Sequence, residues 1–109
     1  MKIVINTCYG GFGLSRKAQE LYLTKKGYKY EITSNTWGDH YKVEGWPNYY
    51  ISEVSRDDPV LIEVVEELGE EADDRFSRLH IVEIPDDVEW EISEYDGKEH
   101  VAECHRTWY

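Results

Sequence analysis

Lys2-Ile3-Val4-Ile5-Asn6-Thr7-Cys8-Tyr9-Gly10-Gly11-Phe12-Gly13-Leu14-Ser15 passes from a β-branched run, through three glycines in four positions, to a serine ahead of a helical pattern. Residues 2–7 predict a short buried strand, because β-branched side chains suit the pleated, half-covered surface of a sheet. Ser15 is a good N-cap for a helix over residues 16–26, with Leu14, Ala18, Leu21 and Tyr22 on one face. Lys25 and Lys26 suit its last turn and Gly27 the position just past it. Strand, glycine loop and helix make the clearest unit in the chain and set an α/β expectation.

Outward from that unit, residues 28–33 resemble a strand, residues 33–48 a loop or irregular hairpin, and Tyr49-Tyr50-Ile51 a short strand. Arg56-Asp57-Asp58-Pro59 opens a second helix, with Asp58 as N-cap, Pro59 at its first position and Gly69 closing it. The charged stretch 70–78 adds at most a surface turn. Residues 79–84 read as a strand stopped by Pro85. Residues 88–95 alternate, with Val88, Trp90 and Ile92 on one side, and Asp96-Gly97 is a strong two-residue hairpin turn into a return strand over 98–105. That turn pairs Ile92 with Val101, and Trp90 with Glu103, a mismatch that suggests a bulge or a solvent-facing end. The expected fold is one α/β domain over residues 1–109. It comprises a small mixed sheet of four to six strands, two main helices and a C-terminal antiparallel hairpin.

At 109 residues and 12.9 kDa the chain can bury roughly two thirds of the surface its unfolded form exposes. Nine Tyr, four Trp and two Phe argue against disorder. Residues 1–30 carry six Lys/Arg against one Glu, whereas residues 31–109 carry six against twenty-two Asp/Glu, for a net charge of −11. Such a chain is a poor binder of DNA, where affinity comes from Lys and Arg neutralising phosphates. A small anionic ligand depends on local donors and stays open. No apolar run approaches the ~20 residues needed to cross a bilayer. Cys8 and Cys104 make no disulfide framework, and His40, His80, His100 and His105 have no metal-ligand spacing, so neither metal nor cofactor is expected. The chain reads as a soluble intracellular protein.

Three places could carry chemistry. In the first, Tyr9, Gly10, Gly11, Phe12, Gly13, Ser15 and Arg16 would bring backbone N–H groups and a helix start to an anion; the spacing matches neither the dinucleotide fingerprint nor the Walker loop. The plain alternative is a tight turn whose glycines serve packing. In the second, Asp58 caps the helix and Asp57 favours its start. Arg56 then either pairs with one of those carboxylates or reaches a phosphate or ribose. In the third, His105, Arg106 and Trp108 could hold a purine nucleotide, or could form a structural tail.

These strings together, Lys2-Ile3-Val4-Ile5-Asn6 with Cys8 to Ser15, Arg56-Asp57-Asp58-Pro59, Ile84 to Trp90, Glu94 to Gly97 and His105 to Trp108, resemble a family of small phage and prophage proteins. The resemblance implies a viral protein acting in the bacterial host cytoplasm, and counter-defence roles that include capturing or destroying nucleotide immune signals. The first expectation is a binding module that sequesters a small nucleotide-derived ligand, within one chain or across a homodimer. The alternatives are a small phosphodiesterase or glycosyl-bond hydrolase using Asp57, Asp58, His100 or His105 as acid and base, and an acidic inhibitor of a host protein.

Overall fold

Ile3, Val4, Ile5 and Asn6 are all buried, so the first strand is covered on both faces and runs through the centre of the molecule. The computed structural model describes residues 1–36 and 38–103. In chain order these form β1 (Lys2–Asn6), α1 (Arg16–Lys26), β2 (Tyr30–Asn35), β3 (Gly38–Val43), α2 (Pro59–Leu68), β4 (Leu79–Glu83), β5 (Trp90–Tyr95) and β6 (Lys98–Glu103). Two short 3-10 turns lie at Ile51–Glu53 and Gly69–Ala72.

Both helices are bounded as their sequences require. The Ser15 hydroxyl accepts from the Ala18 amide, and Gly27 ends α1 at φ 81°, a left-handed value that glycine adopts without a Cβ penalty. In α2, Asp58 accepts from the Val60 and Leu61 amides, and Pro59 occupies a position whose N–H would have no helical partner. Ala18, Tyr22 and Leu23 of α1 and Leu61, Val64 and Val65 of α2 meet over Val4, with Val43, Tyr49 and Val54 closing the core.

The fold is α/β with two helices and a C-terminal hairpin, and its strands stand in three antiparallel pairs: β1 with β4, β2 with β3, β5 with β6. The expected mixed sheet is therefore corrected to separate antiparallel pairs among the described residues. The reason lies on β1. Its amides at Val4 and Asn6 face away from β4 and are taken by the Arg56 carbonyl (2.9 Å) and the Glu99 carboxylate (2.8 Å), which stand where a neighbouring strand would be. The hairpin register is the expected one, with Ile92 opposite Val101 and Trp90 opposite Glu103. Residues 33–48 hold most of a regular hairpin, β2 to β3. The expected strand over residues 49–51 is not formed: Tyr49 is drawn into the core, and a 3-10 turn begins at Ile51.

Candidate functional site

The glycine loop is clasped from two sides. The Asp96-Gly97 turn, at φ 51° and 88°, lies against it. A Cβ on Gly97 would overlap the Tyr9 carbonyl oxygen and stand 2.7 Å from the Gly11 nitrogen. On the other side, a Cβ on Gly10 would overlap the Phe76 carbonyl oxygen, and one on Gly13 would overlap the Asp74 carboxylate. Ser77 Oγ donates to the Gly13 carbonyl at 2.8 Å. Gly11, at φ 94°, has open space where its Cβ would be. Gly10 and Gly13 thus permit close approach of protein to protein, and Gly11 supplies the left-handed turn. Tyr9 remains exposed, with the Lys98 ammonium 5.7 Å from its ring centre.

Phe12 and Arg56, from two separate candidate places in the sequence, meet: the guanidinium lies 3.6 Å from the Phe12 ring centre. Its hydrogen bonds go to Glu99, with Nη1 to Oε1 at 2.6 Å and Nη2 to Oε2 at 2.9 Å, and Glu99 is buried. Neither Asp57 nor Asp58 is the partner. Asp57 accepts from the Ser55 hydroxyl. Asp58 accepts from Tyr22 at 2.9 Å and pairs with Lys26 at 3.0 Å. Burial acts to raise the Asp58 carboxyl, and hydrogen bonds from Lys26, Tyr22 and the Val60 amide outweigh it, leaving it below the ordinary carboxylate range.

Beyond Gly13 the surface opens into a cleft of about 570 Å³. Three elements build it. From α1 and its N-cap come Ser15, Arg16 and Gln19; from β3, Asp39 and Tyr41; from the turn before β4, Asp74, Arg75 and Phe76. Ser15 is engaged, its hydroxyl capping α1 and donating to the Glu71 carbonyl at 2.6 Å. Gln19 is held between the Leu14 carbonyl and the Tyr49 hydroxyl. Asp74 accepts from the Phe76 amide at 2.8 Å and shapes the turn that leaves the Phe76 ring 62% exposed. Burial pushes the Tyr41 phenol up to about 12, the Asp39 carboxylate adding to it and Arg16 opposing.

The two arginines are the loosely held groups. Arg16 reaches Ser34 Oγ at 3.4 Å and Glu20 at 4.0 Å, with about half of its side chain exposed. Arg75 is exposed and has no ion pair or hydrogen-bonded side chain among the described residues. In one hollow, guanidinium groups can bind an anion, aromatic rings can stack on a flat group and carboxylates can accept from hydroxyls.

Of the expected site residues, Tyr9 and Gly11 lie where the last hairpin docks, and Phe12 meets Arg56, which Glu99 of that hairpin holds. Gly10 and Gly13 face Phe76 and Asp74 on the other side of the loop, and Asp57 is next to Arg56 in the chain. Ser15 and Arg16 line the cleft instead. His105, Arg106 and Trp108 lie outside the described residues. Gln19, Asp39, Tyr41, Arg75 and Phe76 were not singled out. The signal for the last two was a single aromatic between two arginines, Arg75-Phe76-Ser77-Arg78, in an otherwise acidic stretch. Among the described residues no three His, Cys, Asp or Glu side chains are placed to hold a metal ion, and no helix is long and apolar enough to cross a membrane. Compared with protein-family models, curated proteins and solved structures, the chain matches none.

Proposed function

We propose that this protein binds and sequesters a small nucleotide-derived ligand in the cleft between α1, β3 and the turn before β4. The observation that carries the reading is the convergence of Arg16, Arg75 and the exposed Phe76 ring on one hollow. A large apolar ring held out in solvent by its own turn is unfavourable to folding alone, and stacking on a base recovers that surface. The cleft's carboxylates suit sugar hydroxyls, which favours a nucleotide over a bare anion. Capture is favoured over cleavage because two of the candidate acid and base groups are committed: Asp58 caps α2 and Asp57 holds Ser55. The resemblance to phage and prophage proteins supports an immune nucleotide of the bacterial host as the ligand.

The test is calorimetric titration against a nucleotide panel, followed by denaturation of the loaded protein and chromatography of what is released. A bound nucleotide recovered intact supports capture, and an altered one supports the enzyme reading. Arg75→Ala should weaken binding about tenfold to a hundredfold, the range for a hydrogen bond to a charged group. A panel without a binder, or an Arg75→Ala protein that binds like the parent, overturns the assignment.

A further inference from the structure

The cleft does not end at β3. Gln19, Asp39 and Tyr41 form one of its walls and also line a second hollow of about 290 Å³, which continues to His40, Pro47 and Tyr50. The two therefore meet across a shared wall. Each has an exposed aromatic ring of its own: Phe76 is 62% exposed in the first and Tyr50 64% exposed in the second. The cation of the first hollow is Arg16. Arg16 Nη1 reaches Ser34 Oγ, and Ser34 Oγ donates to Asp39 Oδ1 at 2.5 Å, which brings the guanidinium to the shared wall.

Two hollows that share a wall, each with an exposed ring, and a cation tied towards that wall define a ligand shape. We infer that the two hollows together take a ligand with two flat ring groups joined through phosphate, a dinucleotide rather than a mononucleotide. This rests on the nucleotide-capture reading above. One base stacks on Phe76, the phosphate bridge meets Arg16, and the second base occupies the hollow beside Tyr50 and Pro47. The volume fits: pockets for ligands of drug size run to about 300–1,000 Å³, and the smaller hollow alone falls at the bottom of that range. The chemistry fits as well. A base on an aromatic ring gains stacking that is tolerant of base identity, while His40, Asn48 and Tyr50 can supply hydrogen bonds at the base edge.

The experiment compares ADP with diadenosine diphosphate, and GDP with diguanosine diphosphate, by calorimetric titration on the full chain. Each pair shares base and phosphate count and differs by the second nucleoside. The dinucleotide of at least one pair should bind tenfold or more tighter than its mononucleotide, and Tyr50→Ala should bring that ratio towards one. Phe76→Ala should weaken both members. Equal affinities within both pairs, or a ratio that Tyr50→Ala leaves intact, overturns the dinucleotide inference and leaves capture in the cleft standing. If neither member of either pair binds and no other nucleotide does, the capture reading fails and this inference falls with it.

Discussion

Arg56 and Glu99 form a forked, buried ion pair, and the same carboxylate also holds the Asn6 amide, so the segment before α2 and the last hairpin are joined across β1. The pair satisfies backbone groups as well as charges. Arg56 donates to the Val4 carbonyl at 3.4 Å through its side chain and accepts from the Val4 amide through its own carbonyl. Asn6 adds a bond from Nδ2 to the Gly97 carbonyl at 2.7 Å.

Glu99→Gln should therefore destabilise the fold by about 3 kcal/mol, near the lower end of the effect of leaving one buried charge without its partner. Joint replacement, Arg56→Met with Glu99→Leu, should lose less than the sum of the single changes, since no charge is then stranded. Urea unfolding of the parent, Glu99→Gln, the singles Arg56→Met and Glu99→Leu, and their double measures both. A loss below 1 kcal/mol for Glu99→Gln would mean that the hairpin docks by its apolar face alone.

The glycines should rank by what a Cβ would meet. Gly97→Ala combines a left-handed φ with overlap on the Tyr9 carbonyl and should be the most damaging. Gly10→Ala should follow, at about 1–3 kcal/mol for overpacking against Phe76. Gly11→Ala meets open space and should lose only the left-handed strain, about 1–2 kcal/mol. Thermal melts of the three proteins give the order, and Gly11 in first place would refute the packing account.

Acid stability should depend on Asp58. Its carboxyl titrates below the ordinary range in the folded protein, so the stability it adds is present above the unfolded value of about 3.9 and is lost as pH falls through the folded one. Asp58→Ala should cost about 2 kcal/mol at neutral pH, the upper end for a lost cap, because Tyr22 and Lys26 lose their partner too. It should also flatten the fall in melting temperature between pH 5 and 2. An unchanged acid profile would rule Asp58 out as a source of it.

Alkaline stability should depend on three tyrosines. Burial raises the phenols of Tyr22, Tyr41 and Tyr49, that of Tyr41 to about 12. The neutral phenols are thus the folded form, and their contribution is complete below the unfolded value of about 10 and is lost at higher pH. Absorbance titration should show phenolate appearing in a late phase together with unfolding. Tyr41→Phe should diminish that phase.

Much of the fold was legible because its signals are local. Ser15, Gly27, Asp58, Pro59 and Gly69 each act within one turn of helix, and Asp96-Gly97 acts within one hairpin. The partner of Arg56 was not legible: Glu99 is 43 residues away, and no short-range rule selects it over the adjacent Asp57 and Asp58. The cleft was half legible. Ser15 and Arg16 belong to the conspicuous glycine-loop unit, whereas Phe76 and Tyr50 gain their meaning only from exposure, a property of the assembled surface. Gly10 and Gly13 show the same limit, since a loop shaped to approach a ligand and one shaped to approach Phe76 and Asp74 are written with the same residue.

The two edges of β1 bear on how the chain reaches its fold during synthesis. One edge pairs with residues 79–83, and the other is closed by residues 56 and 99. β1 therefore has all its backbone groups satisfied only once residues 56, 79–83 and 99, all later in the chain, have been made. Until then Ile3, Val4 and Ile5 are an apolar strand with incompletely closed edges, the kind of segment that pairs with other chains. Truncation before residue 99 should yield chains that aggregate rather than a smaller stable unit.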